Sequence, residues 1–436
     1  MKKLTVLTLG MTFLLSACSS GTSTSTSTSV PTSSMKPSEQ PKSPIKLTMS
    51  IWGNDAHKKM YEDMAAKYKE THPNVTVEMS VIPFADYQQK LSIMLASKTA
   101  PDIAWLSERM VPQLLETNQL EEITDITKDT AYDFADVYPS TMPLLTKEGK
   151  VYGIPFSTPP SLMFYNKTMF KDKGQKTPME LYKNGQWTYD EFVKTAKTMT
   201  NKAQGVYGVK LFGDWKAWLD TYISYIWGYG GDVFSKDGTK LTINSPESEK
   251  AFQMVYDMIF KDQSTPKPGD VPAFEAGKLA MAGAPLSYVG VAKNIKDFEW
   301  DIVPMPVGPT NGPILGGFAG YTIPKGTENA AVAKDFLKFI SNKDQMAVTA
   351  QYFVPSRKSV LESEAYRKIV PLPSDESMKI GVLDQMKRTR TFPVHKNWPA
   401  IDAKAKTIID YLYTQSTTVK EVLNKFDQEV GPLVKQ

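Results

Sequence analysis

The sequence predicts an α/β fold in which helices cover a parallel sheet. Apolar and polar residues alternate over Ile45–Trp52 and again over Val75–Val81, as they do in strands. Helical periodicity follows each of these runs, over Asp55–Lys69 and near Ala85–Ser97, and a short apolar strand pattern ends the series at Asp102–Leu106. Strand, helix and strand in this order are typical of βαβ units, which place parallel strands side by side.

Later helices are predicted from their capping signals. Thr188-Tyr189-Asp190-Glu191 is a capping box that opens a helix reaching Met199, and Ser245-Pro246 places a cap before a helix-initiating proline. Thr327 is the predicted cap of a further helix. Nearly four hundred residues follow Ile45, which is enough for two domains.

The N-terminus predicts secretion. Met1–Lys3 is positively charged, and the apolar run Leu4–Leu15 is too short to span a bilayer, which is typical of a signal peptide. Leu15-Ser16-Ala17-Cys18 resembles the lipobox of bacterial lipoprotein precursors. That resemblance implies a signal peptide over residues 1–17, lipid on Cys18 and a protein held at the outer face of the cell membrane. The alternative is an ordinary cleaved signal followed by a chance cysteine.

Residues 18–44 form a predicted disordered linker. The segment is rich in Thr, Ser and Pro and offers almost no apolar residues to bury. A flexible tether of this length holds the globular part on the order of 25–30 Å from the membrane. Cys18 is the single cysteine of the chain, so an intramolecular disulfide is excluded and the fold depends on its core.

Composition narrows the function. The net charge is +4 with dispersed basic residues, which does not indicate nucleic-acid binding. Eight Trp and twenty Tyr accompany only three His and one Cys, so flat apolar faces are plentiful while nucleophiles and metal ligands are scarce. His57, His72 and His395 lack metal-ligand spacing and are interpreted as surface or structural residues. No cofactor or metal is expected.

Several ordered motifs resemble the family 1 extracellular solute-binding proteins, the maltose-binding-protein-like sugar receptors of ABC importers. The resemblance covers nearly the whole chain after the linker, and these stretches carry much of it: Ser50-Ile51-Trp52-Gly53, Ala100-Pro101-Asp102-Ile103, Val151-Tyr152-Gly153-Ile154-Pro155-Phe156, Phe164-Tyr165-Asn166-Lys167, Trp187-Thr188-Tyr189-Asp190-Glu191-Phe192, Phe274-Glu275-Ala276-Gly277-Lys278-Leu279-Ala280-Met281 and Gly316-Gly317-Phe318-Ala319-Gly320-Tyr321. It implies a type II periplasmic-binding-protein-like fold with two α/β lobes, a hinge and ligand in the cleft between them. We place residues 45–157 and 313–352 in the first lobe, and residues 158–312 and 353–436 in the second.

The resemblance also implies a function. The protein is expected to be a monomer that captures a carbohydrate, in the form of an oligosaccharide, and delivers it to the permease subunits of an ABC transporter. Sugars present C–H faces that stack on aromatic rings and hydroxyls that pair with carboxylates and amides. The site should therefore combine Trp or Tyr with Asp, Glu or Asn at strand ends.

Candidate ligand contacts in the first lobe follow two predicted strands. Trp52 closes the first strand, and Asn54 and Asp55 lead into the helix, where the carboxyl ends of strands line the ligand crevice. Ser107 and Glu108 follow the strand that ends at Leu106, where the family places polar ligand contacts. The alternatives are a core position for Trp52 and plain surface charge for Glu108.

The remaining candidates rest mainly on the resemblance. Asp214 and Trp215 correspond to an acidic and an aromatic contact of maltose-type binders, and Tyr288 follows a strand that delivers a stacking aromatic residue. Gly317 and Phe318 lie where the chain recrosses the hinge and where glycine permits close backbone approach, although turn geometry explains them equally. Two late-loop residues complete the set: Arg357 and Trp398.

Three alternative functions stay open. A secreted glycosidase would also need aromatic residues and two carboxylates, but no catalytic motif supports an enzyme. The same fold could bind a peptide, a polyamine or another non-sugar solute. A co-receptor for a sensor kinase would use the same closed face as a transport protein. The main prediction is a binding protein and not an enzyme.

Overall fold

A computed structural model describes residues 43–211, 218–368, 373–393 and 395–435. The predicted signal peptide, Cys18, nearly all of the linker, Asp214 and Trp215 lie outside the described residues. The strands are β1 Ile45–Trp52, β2 Val75–Ile82, β3 Ile103–Ser107, β4 Thr146–Lys147, β5 Lys150–Val151, β6 Ile154–Ser157, β7 Ser161–Asn166, β8 Tyr207–Lys210, β9 Leu279–Pro285, β10 Trp300–Pro304, β11 Ile314–Leu315, β12 Ala319–Thr322 and β13 Thr389–Arg390.

Helices separate most of these strands along the chain. They are α1 Asp55–Thr71, α2 Phe84–Ala96, α3 Val111–Glu116, α4 Thr124–Thr127, α5 Lys167–Asp172, α6 Pro178–Lys183, α7 Tyr189–Met199, α8 Trp218–Tyr229, α9 Pro246–Tyr256, α10 Val289–Ala292, α11 Ala330–Ile340, α12 Lys343–Thr349, α13 Lys358–Leu361, α14 Glu364–Arg367, α15 Asp375–Met378, α16 Trp398–Tyr413, α17 Val419–Lys425 and α18 Gly431–Val434. The α/β prediction is confirmed. Within the described ranges, no helix is both long and apolar enough to cross a membrane.

The first lobe is built on a five-stranded sheet in the order β2-β1-β3-β12-β6. β1 runs parallel to both β2 and β3, as the βαβ pattern predicts. β12 arrives from a distant part of the chain and is antiparallel to β3 and to β6. The carboxyl ends of β1 and β3 therefore lie beside the start of β12, and this edge of the sheet positions the candidate site.

The second lobe is built on a four-stranded sheet in the order β10-β7-β9-β8. β7 is antiparallel to β9 and β10, whereas β8 is parallel to β9. The chain leaves the first sheet after β6 and enters the second with β7, then returns to the first with β12. Each lobe is therefore discontinuous in sequence, as the resemblance implies.

One part of the predicted lobe division needs correction. The predicted second lobe begins again at residue 353, yet Phe353 packs edge-on against Trp105 and Phe156 of the first lobe, with ring centroids 5.5 and 5.3 Å apart. The Arg357 side chain pairs with Asp136, also in the first lobe. The first lobe therefore extends past Tyr352. The chain is back against the second sheet at α15, which contacts β10.

Candidate ligand-binding site

An open cavity of about 570 Å³ lies between the two lobes, a size typical of small-molecule sites. Its first-lobe wall comes from the end of β1, the start of α1 and the segment that follows α12: Trp52, Asn54, Ala56, His57, Ala350, Gln351, Tyr352, Phe353, Val354 and Tyr366. Its second-lobe wall comes from the segment after β9 and from α15: Leu286, Ser287, Val289, Gly290, Val291, Lys293 and Met378. We call this space the aromatic cavity.

Trp52 lies at the carboxyl end of β1 and contributes to the cavity wall. Its indole is held edge-on by Trp105, Tyr87 and Phe84, with ring centroids 4.9, 5.1 and 5.6 Å away. Edge-to-face packing fixes the orientation of the indole while part of it stays accessible. Trp52 is therefore partly packed in the core and partly accessible in the cavity wall. Its contact with a ligand stays a prediction.

The start of α1 is an unusual capping box. The side-chain oxygen of Asn54 accepts hydrogen bonds from the backbone N–H groups of Ala56 and His57, at 3.0 and 3.2 Å. In return, the backbone N–H of Asn54 donates to Nδ1 of His57 at 3.2 Å. Asn54 lines the cavity, but its side-chain oxygen is committed to the cap. Asp55 is exposed as the first residue of α1 and does not line the cavity.

The second-lobe wall differs from the sequence prediction. Leu286 and Ser287, directly after β9, line the cavity, whereas Tyr288 does not. The Tyr288 ring packs edge-on against Phe164 at 5.2 Å, and its hydroxyl donates to Glu275 at 2.5 Å. Burial and the Glu275 carboxylate raise the pKa of Tyr288, which keeps the hydroxyl protonated as a donor. The predicted stacking role of Tyr288 is therefore not supported by its position.

Ser107 and Glu108 lie at the end of β3, outside the cavity lining, and both are buried. The Ser107 hydroxyl accepts a hydrogen bond from Nε2 of Gln88 at 3.3 Å. Glu108 is only 7 % exposed, so the alternative of plain surface charge is wrong. Burial raises the pKa of Glu108 to about 7, against the lowering effect of the Arg109 cation.

Arg109 connects the lobes. Its Nη2 lies 2.6 Å from Asp220 in α8, and its Nε lies 3.7 Å from Glu108. The neighbours of Asp220 in α8 belong to the hydrophobic core packed on one face of the second sheet, which we call the second core. The guanidinium also lies 4.8 Å from the ring centroid of Phe392. Burial raises the pKa of Asp220, although Arg109 lowers it. We call Glu108, Arg109 and Asp220 the ion-pair cluster; spacing in the sequence gave no signal for this pairing.

Gly317 and Phe318 form the approach to β12. The Gly317 N–H donates to the carbonyl of Pro159 at 2.8 Å, and a Cβ at this position would lie 3.1 Å from the Pro159 ring. Phe318 is buried, and its backbone lies within hydrogen-bonding reach of Glu108. Neither residue lines the cavity. Close packing at the crossing between lobes therefore explains the glycine without a ligand.

Arg357 and Trp398 lie away from the cavity. The Arg357 guanidinium is 1 % exposed and donates to the carbonyls of Ser341, Asp133 and Tyr132 at 2.9–3.0 Å. Its donors are thus committed within the first lobe, so the predicted ligand contact needs correction. Trp398 begins α16 and is buried in the second core at 4 % exposure, which corrects that assignment too.

The most informative residue that sequence reasoning missed is His57. It is predicted to be a surface or structural residue; its place in the capping box confirms a structural role, and the half-buried ring also lines the cavity. The available signal was the N-cap Asn54 three residues earlier, which predicts that position 57 faces back toward the cap. Lys293 is the one side chain with a permanent charge in the described part of the lining. Within the described ranges, no group of three His, Cys, Asp or Glu could hold a metal ion.

Comparison with known proteins defines the class. A family model described as bacterial extracellular solute-binding protein matches residues 63–373, more than half of the chain. The arabinooligosaccharide-binding protein of Bacillus subtilis is 24% identical over 360 residues, covering 79% of this chain and 78% of that protein. Two interdigitated lobes with a cavity between them, together with these matches, define a two-lobe solute-binding protein.

Solved structures share this fold. The ABC substrate-binding protein Lmo0181 from Listeria monocytogenes, in complex with cycloalternan, superposes with a TM-score of 0.79 at 21% identity, covering 90% of this chain and all of that one. UgpB from Mycobacterium tuberculosis, in complex with glycerophosphocholine, has a TM-score of 0.75 at 19% identity, covering 88% and 97% of the two chains. The chain belongs to the bacterial extracellular solute-binding protein family.

Proposed function

We propose that the protein binds a carbohydrate in the aromatic cavity and delivers it to the permease subunits of an ABC importer. The observation that carries the proposal is the cavity itself, which both lobes line and whose wall includes the oriented indole of Trp52. Indole faces accept the C–H surface of a sugar ring. The polar groups of the wall, among them Ser287, Gln351 and His57, are suited to hydroxyls.

An oligosaccharide is the form of carbohydrate that we favour. The volume of about 570 Å³ exceeds what a single small ring fills, and the cavity is open to solvent. The arabinooligosaccharide-binding relative and the cycloalternan complex support the same class. Neither relative identifies the sugar that this chain binds.

Transport follows from domain closure. A solute that contacts both walls of the cavity binds more tightly when the lobes are closed, and it shifts the population toward that form. The importer then recognises the closed face. No bond is made or broken in the protein, so this activity needs no catalytic group.

The non-sugar alternative has one specific observation in its favour. UgpB shares the fold and binds glycerophosphocholine, and the cavity of this chain carries the cation Lys293. The same cation disfavours a polyamine, because like charges repel in a partly desolvated site. A co-receptor for a sensor kinase would bind solute in the same way, and a glycosidase would in addition release product.

The decisive experiment is a thermal-shift and calorimetric screen of the purified full chain. The probes are arabinotriose and maltotriose, with glycerophosphocholine, spermidine and a tripeptide as controls. A solute that binds only the folded state raises the midpoint by several degrees at saturation. A shift with a trisaccharide and no product after prolonged incubation supports the proposal; a shift with a control alone refutes the carbohydrate assignment.

Lipid anchoring through Cys18 completes the proposal, on the evidence of the lipobox-like sequence before that residue. Expression in a bacterial host with an alkyne-bearing palmitate analogue should label the wild-type chain and leave Cys18→Ala unlabelled. Ser19→Ala is the matched control and should be labelled normally. Equal labelling of Cys18→Ala and wild type would refute the anchor without affecting the solute-binding proposal.

A further inference from the structure

His57 occupies a fixed position at the edge of the aromatic cavity. Its imidazole stacks on Phe353, with centroids 5.2 Å apart and planes at 25°, and meets Tyr352 edge-on at 4.8 Å. Gly53 has φ +136°, and a Cβ there would lie 2.3 Å from Nδ1 of His57. The backbone of the β1–α1 turn is therefore shaped around this ring.

The hydrogen bond from Asn54 determines the tautomer of His57. A backbone N–H can only donate, so Nδ1, at 3.2 Å from the Asn54 nitrogen, must be an unprotonated acceptor. The proton of the neutral ring is then on Nε2. Nε2 has no hydrogen-bond partner in the part of the chain that the structure describes.

The surroundings of His57 favour the neutral ring. Burial lowers the pKa of His57. Around it lie Asp55 and Lys58 on its own helix, Tyr352 and Tyr366 on the first-lobe wall and, across the cavity, Lys293. The described lining has no carboxylate that would stabilise the imidazolium. Protonation at Nδ1 would also place two N–H groups against each other and break half of the capping box.

We propose that His57 is a specificity-determining residue that presents an Nε2–H donor, locked by Asn54, to an acceptor oxygen of the bound solute. This inference rests on the proposed function, because it takes the aromatic cavity to be the solute site. A neutral, oriented donor selects a hydroxyl, ether or carbonyl oxygen and penalises a group that has only donors. Affinity should fall when the pH drops below the lowered pKa of the ring, since the cap hydrogen bond is lost.

The first test measures the tautomer without any solute. The chain has three histidines, so ¹⁵N-histidine spectra of wild type, His72→Phe and His395→Phe assign the signals of His57. At neutral pH the long-range ¹H–¹⁵N pattern should show protonated Nε2 and unprotonated Nδ1. A proton on Nδ1, or a charged ring at pH 7, overturns the proposal whatever the protein binds.

The second test separates the cap from the donor, with arabinotriose and maltotriose as probes. His57→Asn can accept at the Nδ1 position but has no donor at the Nε2 position, whereas His57→Gln can donate there. For whichever trisaccharide binds the wild type, we expect His57→Asn to lose affinity about tenfold and His57→Gln to stay within about threefold.

The matched control lies at the other end of the same helix. His72 is the C-cap residue of α1 and stacks on Tyr68 at 4.0 Å, outside the cavity, so His72→Asn should bind like wild type. Wild-type affinity in His57→Asn with an intact melting curve overturns the proposal. If neither trisaccharide nor a control solute binds the wild type, the proposed function fails and the solute contact fails with it, while the tautomer result still stands.

Discussion

The aromatic cavity and the ion-pair cluster both lie between the lobes, but the cavity is lined mostly by uncharged side chains and the cluster consists of charged ones. The cavity is open and its described lining carries one permanent charge, Lys293. The ion-pair cluster is closed, and its charged side chains are 10–22 % exposed and contact one another. The cavity therefore has accessible surface for a solute, whereas the charged groups of the cluster are already paired with one another.

We therefore expect the cavity and the ion-pair cluster to have different functions. Flat rings and few charges suit recognition of a neutral solute, because little must be desolvated when it enters. Arg109, by contrast, joins the end of β3 to α8 across the lobes. Substitutions in the cavity should therefore change affinity, and substitutions in the cluster should change the stability of the lobe arrangement.

The largest expected effect is from Arg109→Met. It leaves the buried carboxylates of Glu108 and Asp220 without their cation, and breaking a buried pair from one side costs about 3 kcal/mol of unfolding free energy. Urea unfolding measures this loss. The control is Lys59→Met, which removes an exposed pair with Asp63 and should leave the unfolding free energy nearly unchanged, because solvent screens an exposed pair. Similar losses for both variants would contradict the burial argument.

The pH dependence of stability should report the same cluster. The pKa of Glu108 is about 7 in the folded chain, against about 4.3 for an exposed Glu, so the folded form holds this proton to higher pH. The contribution is complete below about pH 4 and is lost as the pH rises through about 7. Glu108→Gln should remove that pH dependence, which is on the order of 3 kcal/mol between pH 4 and pH 7.

The control for the pH experiment is Glu78→Gln, an exposed carboxylate that lies 2.8 Å from Lys46. Its stability curve should keep the wild-type slope between pH 5 and pH 8. Asp220 acts in the same direction as Glu108, because burial raises its pKa as well. An unchanged slope in Glu108→Gln would mean that this carboxyl titrates normally.

Local sequence patterns are enough to predict much of the secondary structure of the first lobe. β1 spans Ile45–Trp52 as predicted, since strict alternation ends at a glycine, and α1 begins at Asp55 because Asn54 caps it. The predicted cap at Thr327 was wrong: α11 begins at Ala330, and the Thr327 hydroxyl instead accepts from the Asn329 N–H. The starts of α1 and α11 are thus both determined by residues within a few positions of the helix.

The candidate site was harder, because its composition depends on contacts between distant segments. Arg109 and Asp220 are 111 residues apart, and no spacing rule links them. β9 ends at Pro285 and the chain turns into a short helical segment at Leu286–Tyr288, so the alternation of the strand does not predict which of these side chains lines the cavity. Arg357 is predicted to contact the ligand, because the sequence does not distinguish an arginine that binds a solute from one that binds backbone carbonyls.

Trp52→Ala should sharpen the comparison from the side of the cavity. Loss of the indole removes the largest oriented ring of the wall, and we expect trisaccharide affinity to fall at least tenfold, about 1.5 kcal/mol. Isothermal titration calorimetry measures the change. Tyr411→Ala, which removes an exposed aromatic ring from α16 outside the cavity, should bind normally. Unchanged affinity in Trp52→Ala would place the sugar elsewhere.

The smallest effect distinguishes the structure from the sequence prediction at the end of β9. Tyr288 packs on Phe164 and donates to Glu275, so Tyr288→Phe should cost about 1 kcal/mol of stability and leave trisaccharide affinity within about twofold. Ser287→Leu replaces a small side chain of the cavity wall with a larger one and should weaken trisaccharide binding about threefold. A reversed order of the two affinities would mean that Tyr288 reaches the solute. An aromatic ring of the second lobe would then line the cavity in the bound state, whereas the aromatic rings of the described lining all belong to the first lobe.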